Sequence, residues 1–265
     1  MSEKDIRVCV ITGASSGLGE QLAQDVAALG EYTHLVLCAR RQERMEQLAA
    51  TLLKQHAQLV VRVLVVDLSA PDGVNRLFDG LGDWAQHTRL WVNNAGFGLR
   101  GAFAQQPPDA IARMLAVDIT AVTLCTRQIL PEMLKARQGH ILNIASVAAF
   151  APIPWFAVYA AAKSFVLSFT EALAIELAGT GVTATAFCPG PMPTEFFAVS
   201  GKTRWHGPSF LWLPVQKASR EALSATLKGQ TVCIPQGTFL LETFFSRFMP
   251  RSLIARMSGH VFRED

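Results

Sequence analysis

Short hydrophobic runs rich in β-branched residues alternate along the chain with longer stretches whose apolar residues recur at helical spacing. The short runs predict β-strands at residues 7–11, 34–39, 60–66, 89–92, 140–145, 182–188 and 231–234. The longer stretches predict helices at residues 17–29, 41–56, 73–86, 108–135, 155–178 and 216–227. Strands joined through helices form right-handed βαβ units, so the pattern predicts a three-layer α/β fold with a doubly wound parallel sheet of about seven strands.

Two segments interrupt this alternation. Residues 189–214 are rich in proline, glycine and aromatic side chains, so we predict a loop there. Residues 238–265 form a tail that combines apolar and basic side chains, and Pro250 interrupts its helical pattern. Because no linker or internal repeat divides the chain, residues 1–265 are predicted to form a single domain of the Rossmann type.

The composition is apolar for a globular protein, with 50% hydrophobic and 17% charged residues. Such a content suits a sheet covered by helices on both faces, or else a lipid-facing surface. No uninterrupted apolar run reaches the ~18 residues of a membrane span, so we expect no transmembrane segment. The net charge is only +3, and no basic tract carries the interleaved aromatic residues of a nucleic-acid groove. We therefore expect no nucleic-acid partner.

The cysteines and histidines indicate neither disulfides nor a metal site. The five cysteines are scattered mostly through strand-like runs, and no pair has metal-ligand spacing. They are predicted to be reduced thiols of a cytoplasmic protein. The six histidines likewise form no spaced ligand set, so no bound metal is expected.

A glycine-rich loop, Thr12-Gly13-Ala14-Ser15-Ser16-Gly17-Leu18-Gly19, follows the first predicted strand and leads into a helix. Glycines at such a place let the backbone turn sharply and approach a pyrophosphate, which the helix N-terminus attracts. The spacing Gly-x-x-x-Gly-x-Gly differs from the usual dinucleotide fingerprint, and a tight turn without a ligand is the alternative.

Basic residues follow the second predicted strand. In Rossmann sites an acidic residue at the end of this strand binds the ribose 2′-hydroxyl, whereas arginine accommodates a 2′-phosphate. Ala39 stands where the acid would be, and Arg40 and Arg41 come next. Together with Arg44, these arginines could simply solvate the start of a helix, but cations there oppose the helix dipole. An anionic ligand explains them better, which favours NADP over NAD.

Tyr159 and Lys163 are four residues apart in a predicted helix and therefore share one of its faces. A phenol has a pKa of about 10, and a nearby ammonium group lowers that pKa toward the working range of an acid or base. Ser146 ends the strand predicted at 140–145, where its hydroxyl could bind a substrate oxygen. Without support, this tyrosine–lysine spacing more often marks an ordinary exposed helix face.

Taken in order and spacing, these motifs resemble those of the classical short-chain dehydrogenase/reductase family. The resemblance covers about residues 6–194, and the later chain resembles the family more weakly. Its motifs are the glycine loop, Asp67-Leu68, Asn93-Asn94-Ala95-Gly96, Ser146, Tyr159 with Lys163, and Pro189-Gly190-Pro191-Met192-Pro193-Thr194.

The resemblance implies a role for each matching residue. Tyr159 would be the general acid in reduction or base in oxidation, Lys163 would lower its pKa and bind the nicotinamide ribose, and Ser146 would hold the substrate carbonyl. The other matching residues would bind the cofactor: its phosphates and adenosine ribose (Gly13, Ser15, Ser16, Gly17, Leu18, Gly19), its adenine (Asp67, Leu68), its cleft (Asn94, Ala95, Gly96) and its nicotinamide (Pro189, Gly190, Met192, Thr194).

Asp118 departs from the family's pattern. The family usually has an asparagine here, which helps to hold a water in a proton relay to the lysine. Aspartate keeps an acceptor but loses the amide donor, and its charge would raise the pKa values of Lys163 and Tyr159. We count Asp118 among the catalytic residues, with a shifted pH optimum as its expected effect; a dispensable relay or a misplaced alignment is the alternative.

The resemblance also implies a substrate lid at about residues 192–215. Its aromatic residues suggest an apolar substrate, although they could instead pack on the sheet edge. Trp155 and Phe156 either wall the substrate pocket or belong to the core. The tail could lie on a membrane, cover the lid or pack on another subunit, and Pro250 favours packing within the protein or a dimer.

The sequence as a whole predicts an NADP(H)-dependent oxidoreductase that reduces an apolar or 3-oxoacyl-type ketone, or oxidises the corresponding secondary alcohol. The resemblance also implies a homodimer or homotetramer, because the long helices form subunit interfaces in many family members. An isomerase or dehydratase on the same fold, and an NADPH-binding sensor without turnover, remain alternatives.

Overall fold

The structure is a computed structural model that describes residues 6–196, 200, 211–246 and 248–262. Within them, seven parallel strands form one sheet in the order β3-β2-β1-β4-β5-β6-β7. Sequence order reverses between the neighbouring strands β1 and β4, and in doubly wound sheets the ligand crevice lies at this point, outside the carboxyl ends of the strands. The strands are β1 Val8–Thr12, β2 His34–Ala39, β3 Val60–Val65, β4 Thr88–Asn93, β5 Gly139–Ile144, β6 Val182–Phe187 and β7 Val232–Cys233.

Helices follow most of the strands. The α-helices are α1 Gly17–Leu29, α2 Gln42–Gln55, α3 Gly73–Leu81, α4 Pro108–Leu115, α5 Val122–Ala136, α6 Ala157–Glu176, α7 Val215–Leu227, α8 Gly237–Ser246 and α9 Arg251–Phe262. Apolar residues of α1, α2 and α7 cover one face of the sheet, and those of α3, α5 and α6 cover the other. This confirms the predicted three-layer Rossmann architecture.

The main departures from the predicted elements occur in the helices. The helix predicted at 108–135 is divided, because the π-helical segment Ala116–Ala121 separates α4 from α5. The helix predicted at 73–86 ends at Leu81, since Gly82 has a φ of 51° and a tighter 3-10 turn follows it. The predicted break at Pro250 is confirmed, because it lies between α8 and α9.

A buried polar network lies beneath the carboxyl edge of the sheet. Asn93 on β4 donates from its amide to Asn143 Oδ1 on β5 at 2.8 Å and to Thr126 Oγ1 on α5 at 3.0 Å. Trp91 Nε1 donates to Asn93 Oδ1, and Asn143 Nδ2 donates to Thr170 Oγ1 on α6. Since buried amides are costly without partners, this network fixes α5 and α6 against the two central strands.

Helix α6 is long and apolar enough, by length and composition alone, to cross a membrane. Its position argues for a core helix instead, because it packs along β6 and buries residues such as Val166, Thr170 and Leu173. The helix also carries Tyr159 and Lys163, which it presents at the carboxyl edge of the sheet.

Candidate active site

The glycine loop connects β1 to α1 in a conformation that side chains would obstruct. Gly13 and Gly17 have φ values of 68° and 58°, in the left-handed region that favours glycine. A Cβ atom at Gly13 would lie 2.8 Å from Asn94 Nδ2 and from the Ala95 Cα atom. The loop therefore packs tightly against the end of β4, which leaves its other side to form a cradle at the N-terminus of α1.

Asn94 and Thr12 hold this loop in place. Thr12 Oγ1 donates to the Val92 carbonyl and accepts from the backbone N–H groups of Asn94 and Ala95. Asn94 Nδ2 donates to the carbonyls of Thr12 and Gly13, at 2.9 and 3.2 Å. The asparagine side chain thus fixes the shape of the glycine loop as well as lining the cleft.

One cavity of about 880 Å³ begins at the glycine loop and continues over the carboxyl ends of the strands to the tail. Of the residues that the sequence assigned to catalysis or cofactor binding, only Gly19 and Asp118 are absent from its lining. Gly19 lies behind the loop, where a Cβ atom would collide with the Gly13 carbonyl oxygen and with Asn94 Nδ2. Asp118 lies behind Lys163 and is fully buried.

Tyr159, Lys163 and Ser146 meet at the centre of this cavity. The three side chains are largely buried, and the Ser146 side chain is close enough to the Tyr159 hydroxyl to lower its pKa. Lys163 Nζ lies 5.6 Å from the centre of the Tyr159 ring and donates to the Ile144 carbonyl at 3.0 Å. The end of β5 therefore places both Ser146 and one acceptor for Lys163, while α6 supplies the phenol and the ammonium group.

Asp118 forms a buried ion pair with Lys163, with 2.9 Å between Oδ1 and Nζ. Its other carboxylate oxygen accepts from the Phe97 backbone N–H at 3.1 Å. Asp118 lies in the π-helical segment, and a Cβ atom at Gly96 would lie 2.7 Å from its Oδ1 atom. The widened turn and the glycine together give the carboxylate room to reach Lys163 directly.

Burial and charge set the protonation of these groups. Burial alone would lower the pKa of Lys163, but the adjacent Asp118 carboxylate reverses the direction and holds the pKa above its usual value. Burial likewise raises the pKa of Asp118 against the opposing effect of Lys163. Burial also raises the pKa of Tyr159; Lys163 and the Ser146 side chain oppose this, whereas the charge of Asp118 adds to it.

The net pKa of Tyr159 is therefore raised, whereas the sequence predicted a fall toward the working range. Lys163 does lower it, as predicted, but loss of hydration is the larger effect, and Asp118 acts with it. The predicted influence of Asp118 has the expected sign, because its charge raises the pKa values of both Lys163 and Tyr159.

At the other end of the cavity, Arg41 connects α2 to the glycine loop. Its Nε donates to Ser15 Oγ at 3.1 Å and its Nη2 to Ser16 Oγ at 2.6 Å. Its Nη1 donates to Glu195 Oε2 at 2.7 Å, and Arg44 Nη1 donates to Glu195 Oε1 at 2.6 Å. An anion therefore does lie among these basic residues. It is the carboxylate of Glu195, which the sequence did not predict at this place.

Arg40 and Asp67 lie beside this group. Burial of the Asp67 carboxyl is outweighed by two hydrogen bonds from Ser69 and by the charge of Arg40, so its pKa is lowered. The Arg40 side chain is exposed, with no hydrogen-bond or ion-pair partner among the described residues. It lines the cavity next to Arg41, where an incoming group could meet it.

The tail helices form the roof of the cavity, which agrees with the predicted packing of the tail within the protein. The Gly190 backbone N–H donates to Gln236 Oε1 at 2.9 Å, and Gln236 Nε2 donates to the Leu211 carbonyl at 2.7 Å. This amide attaches the predicted nicotinamide loop to the beginning of the tail. Apolar residues that follow it line the cavity, namely Phe239, Phe245, Met249, Ile254 and Met257.

Two aromatic rings pack close to Tyr159 in the cavity. The Phe156 ring lies 4.4 Å from the Tyr159 ring and the Phe196 ring 5.4 Å from it, measured between centres. Phe156 thus lines the cavity, as one of the two alternatives predicted, whereas Trp155 is not part of its lining. Of the predicted lid, residues 197–199 and 201–210 lie outside the described residues.

No group of three or more histidine, cysteine, aspartate and glutamate residues in the described part of the chain could hold a metal ion. The five cysteines are buried and unpaired, and burial raises the pKa of the Cys188 thiol beside the site to about 12. Burial therefore favours the thiol form of Cys188 over the nucleophilic thiolate.

A Rossmann crevice that joins a glycine-rich cradle to a buried serine, tyrosine and lysine defines a nicotinamide-dependent oxidoreductase site. Residues 7–205 match the sequence model of the short chain dehydrogenase family. An uncharacterised oxidoreductase of Staphylococcus saprophyticus is 34% identical over 205 residues, which are 77% of this chain and 85% of that protein. The chain therefore belongs to the short-chain dehydrogenase/reductase family.

Solved structures agree with this assignment. A short-chain dehydrogenase from Sphingobium yanoikuyae in complex with NADPH is 30% identical, with a TM-score of 0.82 over 92% of this chain and 94% of that one. A bulky-bulky ketone specific alcohol dehydrogenase from Comamonas testosteroni is 28% identical, with a TM-score of 0.78 over 92% and 93%. A Burkholderia phymatum family member in complex with NAD is 25% identical, with a TM-score of 0.78 over 94% and 95%.

Proposed function

We propose that this oxidoreductase transfers a hydride between NADP(H) and a ketone or the corresponding secondary alcohol. The observation that carries the proposal is the placement of Tyr159, Ser146 and Lys163 in the same cavity as the glycine loop and Arg41. The cavity can then hold the cofactor and the ketone or alcohol side by side, with the residues for proton transfer next to the reacting atoms. The glycine cradle fits a dinucleotide, because the left-handed backbone at Gly13 and Gly17 turns the loop tightly against Asn94, Ala95 and Thr194 and leaves its other side open.

Bound NADPH would supply the hydride, which goes to the carbonyl carbon in reduction. The Ser146 hydroxyl holds the carbonyl oxygen, and the Tyr159 hydroxyl donates its proton to that oxygen as negative charge develops there. Lys163 stabilises the phenolate that remains, and Asp118 orients Lys163 through the 2.9 Å ion pair. In oxidation the same phenolate accepts the proton from the alcohol.

The preference for NADP(H) over NAD(H) rests on the end of β2. Ala39 leaves no carboxylate there to bind a ribose 2′-hydroxyl, and Arg41 joins Ser15 and Ser16 in a group that suits a phosphate. The Sphingobium relative was solved with NADPH and the Burkholderia relative with NAD. Since relatives with either cofactor are known, the preference of this chain has to be inferred from its own residues at the end of β2.

The apolar roof and the aromatic rings beside Tyr159 favour an apolar ketone, of a size that suits the cavity of about 880 Å³. The Comamonas enzyme, described as specific for bulky-bulky ketones, shares this fold and supports the assignment. A 3-oxoacyl compound also belongs to this proposed class, because its chain could extend along the apolar tail residues.

The proposal places the enzyme in the cytoplasm as a homodimer or homotetramer. The buried, unpaired cysteines suit a reducing compartment. Helices α5 and α6 expose Leu124, Leu134, Phe165 and Ile175, of which Ile175 is 76% exposed. Apolar side chains on these two helices would be covered by a second copy of the chain.

One observation favours a second function, that of an NADPH-binding sensor without turnover. Lys163 is held by the ion pair with Asp118 and by its hydrogen bond to the Ile144 carbonyl, and the pKa of Tyr159 is raised by burial. A tyrosine held in its protonated form could bind ligands without exchanging protons efficiently. The two functions differ in turnover and not in cofactor binding.

The test measures both properties on the full chain. NADPH consumption is followed with a panel of apolar ketones, and NADPH binding is titrated separately. Tyr159→Phe keeps the packed ring but removes the proton, so turnover should fall at least about a hundredfold while binding is retained. Tyr32→Phe is the matched control, because Tyr32 is the other tyrosine of the chain and does not line the cavity.

Turnover that is lost in Tyr159→Phe and kept in Tyr32→Phe supports the enzyme. NADPH binding without turnover across the whole panel supports the sensor. Protein that is folded but does not bind NADPH contradicts both functions.

A further inference from the structure

Glu195 links the start of the predicted lid to the arginines that follow β2. Its two carboxylate oxygens accept from different arginines, Oε2 from Arg41 at 2.7 Å and Oε1 from Arg44 at 2.6 Å. Glu195 lies between Thr194, which packs against Gly17 of the glycine loop, and Phe196, which packs against Tyr159. The carboxylate is thus held at the mouth of the cofactor cleft.

Protein groups already engage three of the five N–H donors of Arg41. All three of its guanidinium nitrogens donate to protein groups, namely the hydroxyls of Ser15 and Ser16 and the carboxylate of Glu195. A phosphate that binds beside these serines therefore has to share the Arg41 guanidinium with Glu195, through the remaining N–H groups, or replace Glu195 as an acceptor. Glu195 is the acceptor that can be replaced most readily, since Arg44 continues to bind its other oxygen.

The ion pair between Glu195 and Arg41 is open to solvent, with the two side chains 45% and 44% exposed. Exposed pairs of this kind contribute little to stability and are weakened by salt, so the contact can break at small cost. Glu195 nevertheless remains charged at neutral pH. Hydrogen bonds from Arg41 and Arg44 lower the pKa of Glu195 to about 2.

NADP(H) and NAD(H) differ in the group on the ribose 2′-oxygen, which would lie near Arg41. NADP(H) carries a phosphate on the ribose 2′-oxygen, with a charge of about −1.5 to −2, whereas NAD(H) carries a neutral hydroxyl there. The phosphate competes with Glu195 for the Arg41 guanidinium and is repelled by its charge. The neutral 2′-hydroxyl of NAD(H) does not compete with Glu195 for Arg41 and is not repelled by the Glu195 charge.

We propose that Glu195 is a specificity-determining residue, whose carboxylate competes with the cofactor's 2′-phosphate for Arg41. NADP(H) then has to share Arg41 with the Glu195 carboxylate or displace it, while NAD(H) binds with the ion pair undisturbed. Glu195 therefore weakens NADP(H) binding selectively and brings the affinities for the two cofactors closer together. This inference rests on the proposed NADP(H)-dependent function.

The experiment measures the dissociation constants of NADPH and NADH for the full chain and for Glu195→Gln. Glutamine keeps the size of the side chain but removes its charge. NADPH should bind about tenfold more tightly at about 0.02 M NaCl and about twofold more tightly at about 0.5 M, because salt screens the competing charge. NADH binding should change by less than about twofold.

Two controls separate this effect from a general change of charge. Glu43→Gln removes the same charge from an exposed position on α2, near Arg44, and should leave both constants unchanged. In an Arg41→Gln background, Glu195→Gln should lose most of its effect on NADPH, because the shared partner is gone. Thermal unfolding of each variant verifies that the fold is kept.

Three results would overturn the inference: NADPH affinity unchanged or weaker in Glu195→Gln, an equal gain for both cofactors, or the same gain in Glu43→Gln. If the unaltered protein binds NADH but not NADPH, the proposed cofactor preference is wrong. In that case NADPH binding gained by Glu195→Gln still supports the inference, and no gain refutes it. A protein that binds neither cofactor refutes the inference together with the proposed function.

Discussion

Asp118 Oδ1 and Lys163 Nζ form an ion pair of 2.9 Å that is shielded from solvent. In the family pattern an asparagine reaches the lysine through a water, whereas this aspartate contacts it directly. The pair puts a negative charge behind the residues proposed to move the proton. Its consequences can be measured separately for the pH dependence and for the stability of the protein.

Asp118→Asn should move the pH–rate profile to lower pH. The Asp118 charge raises the pKa of Tyr159, so its removal lowers that pKa. The midpoint at which oxidation gains rate, and at which reduction loses it, should fall by about one pH unit. Asp109→Asn removes a charge from an exposed position on α4 and serves as the control. Identical midpoints in the unaltered protein and Asp118→Asn would contradict this role.

Asp118→Leu should destabilise the protein strongly, because the Lys163 ammonium group would remain buried beside an apolar side chain. Removing one partner of a buried ion pair costs about 3–5 kcal/mol in the free energy of unfolding. Adding Lys163→Met removes the isolated charge and should restore part of the loss. Denaturant unfolding of the single and double variants tests this, and a double variant no more stable than Asp118→Leu would argue against it.

Arg41→Ala should weaken NADPH binding by about ten- to a hundredfold and NADH binding by less than about threefold. Arg40→Ala should have the same selectivity but a smaller effect, because the exposed Arg40 side chain is not fixed by the serines of the glycine loop. Titration of both cofactors measures the difference. Equal losses for NADPH and NADH in either variant would remove that arginine from the proposed phosphate site.

Asn143→Ala should lower the free energy of unfolding by about 2–4 kcal/mol. The Asn143 amide accepts from Asn93 and donates to Thr170, and its loss leaves buried polar groups without partners. Asn75→Ala, at an exposed site on α3, should change stability by less than about 0.5 kcal/mol. If the two variants unfold at the same denaturant concentration, the network does not contribute as proposed.

Phe239→Ala should raise KM for apolar ketones by about tenfold, since it removes apolar contact area from the cavity. The dissociation constant for NADPH should remain within about threefold, because the cofactor's phosphate site is at the other end of the cavity. Phe103→Ala removes a phenylalanine that is 64% exposed and does not line the cavity, so it is a suitable control. An unchanged KM for every ketone would show that the substrate does not bind against Phe239.

The sequence predicted those features of the site that depend on short stretches of chain. The glycine loop follows its strand directly, and Tyr159 and Lys163 are four residues apart in one helix, so their proximity follows from local geometry. The π-helical segment around Asp118 was not predicted, because one widened turn leaves the apolar periodicity of 108–135 nearly unchanged.

Other features depend on contacts that sequence spacing does not reveal. Glu195 is 154 residues from Arg41, and only the fold brings the two side chains together. The net pKa direction of Tyr159 depends on how completely packing removes water, which the spacing to Lys163 cannot indicate. Gln236 was missed because an isolated glutamine in a loop carries no motif, although it joins the tail to Gly190.

The roof of the cavity consists of tail residues between Phe239 and Ser258, whereas the match to the family ends at residue 205. The residues proposed for proton transfer and cofactor recognition thus belong to one continuous part of the chain, and much of the apolar surface proposed for the substrate belongs to another. Under the proposed function, mutations in the tail should alter the range of accepted ketones without disturbing the residues proposed for proton transfer. This arrangement makes the C-terminal segment a natural unit for divergence between relatives and for exchange between them in the laboratory.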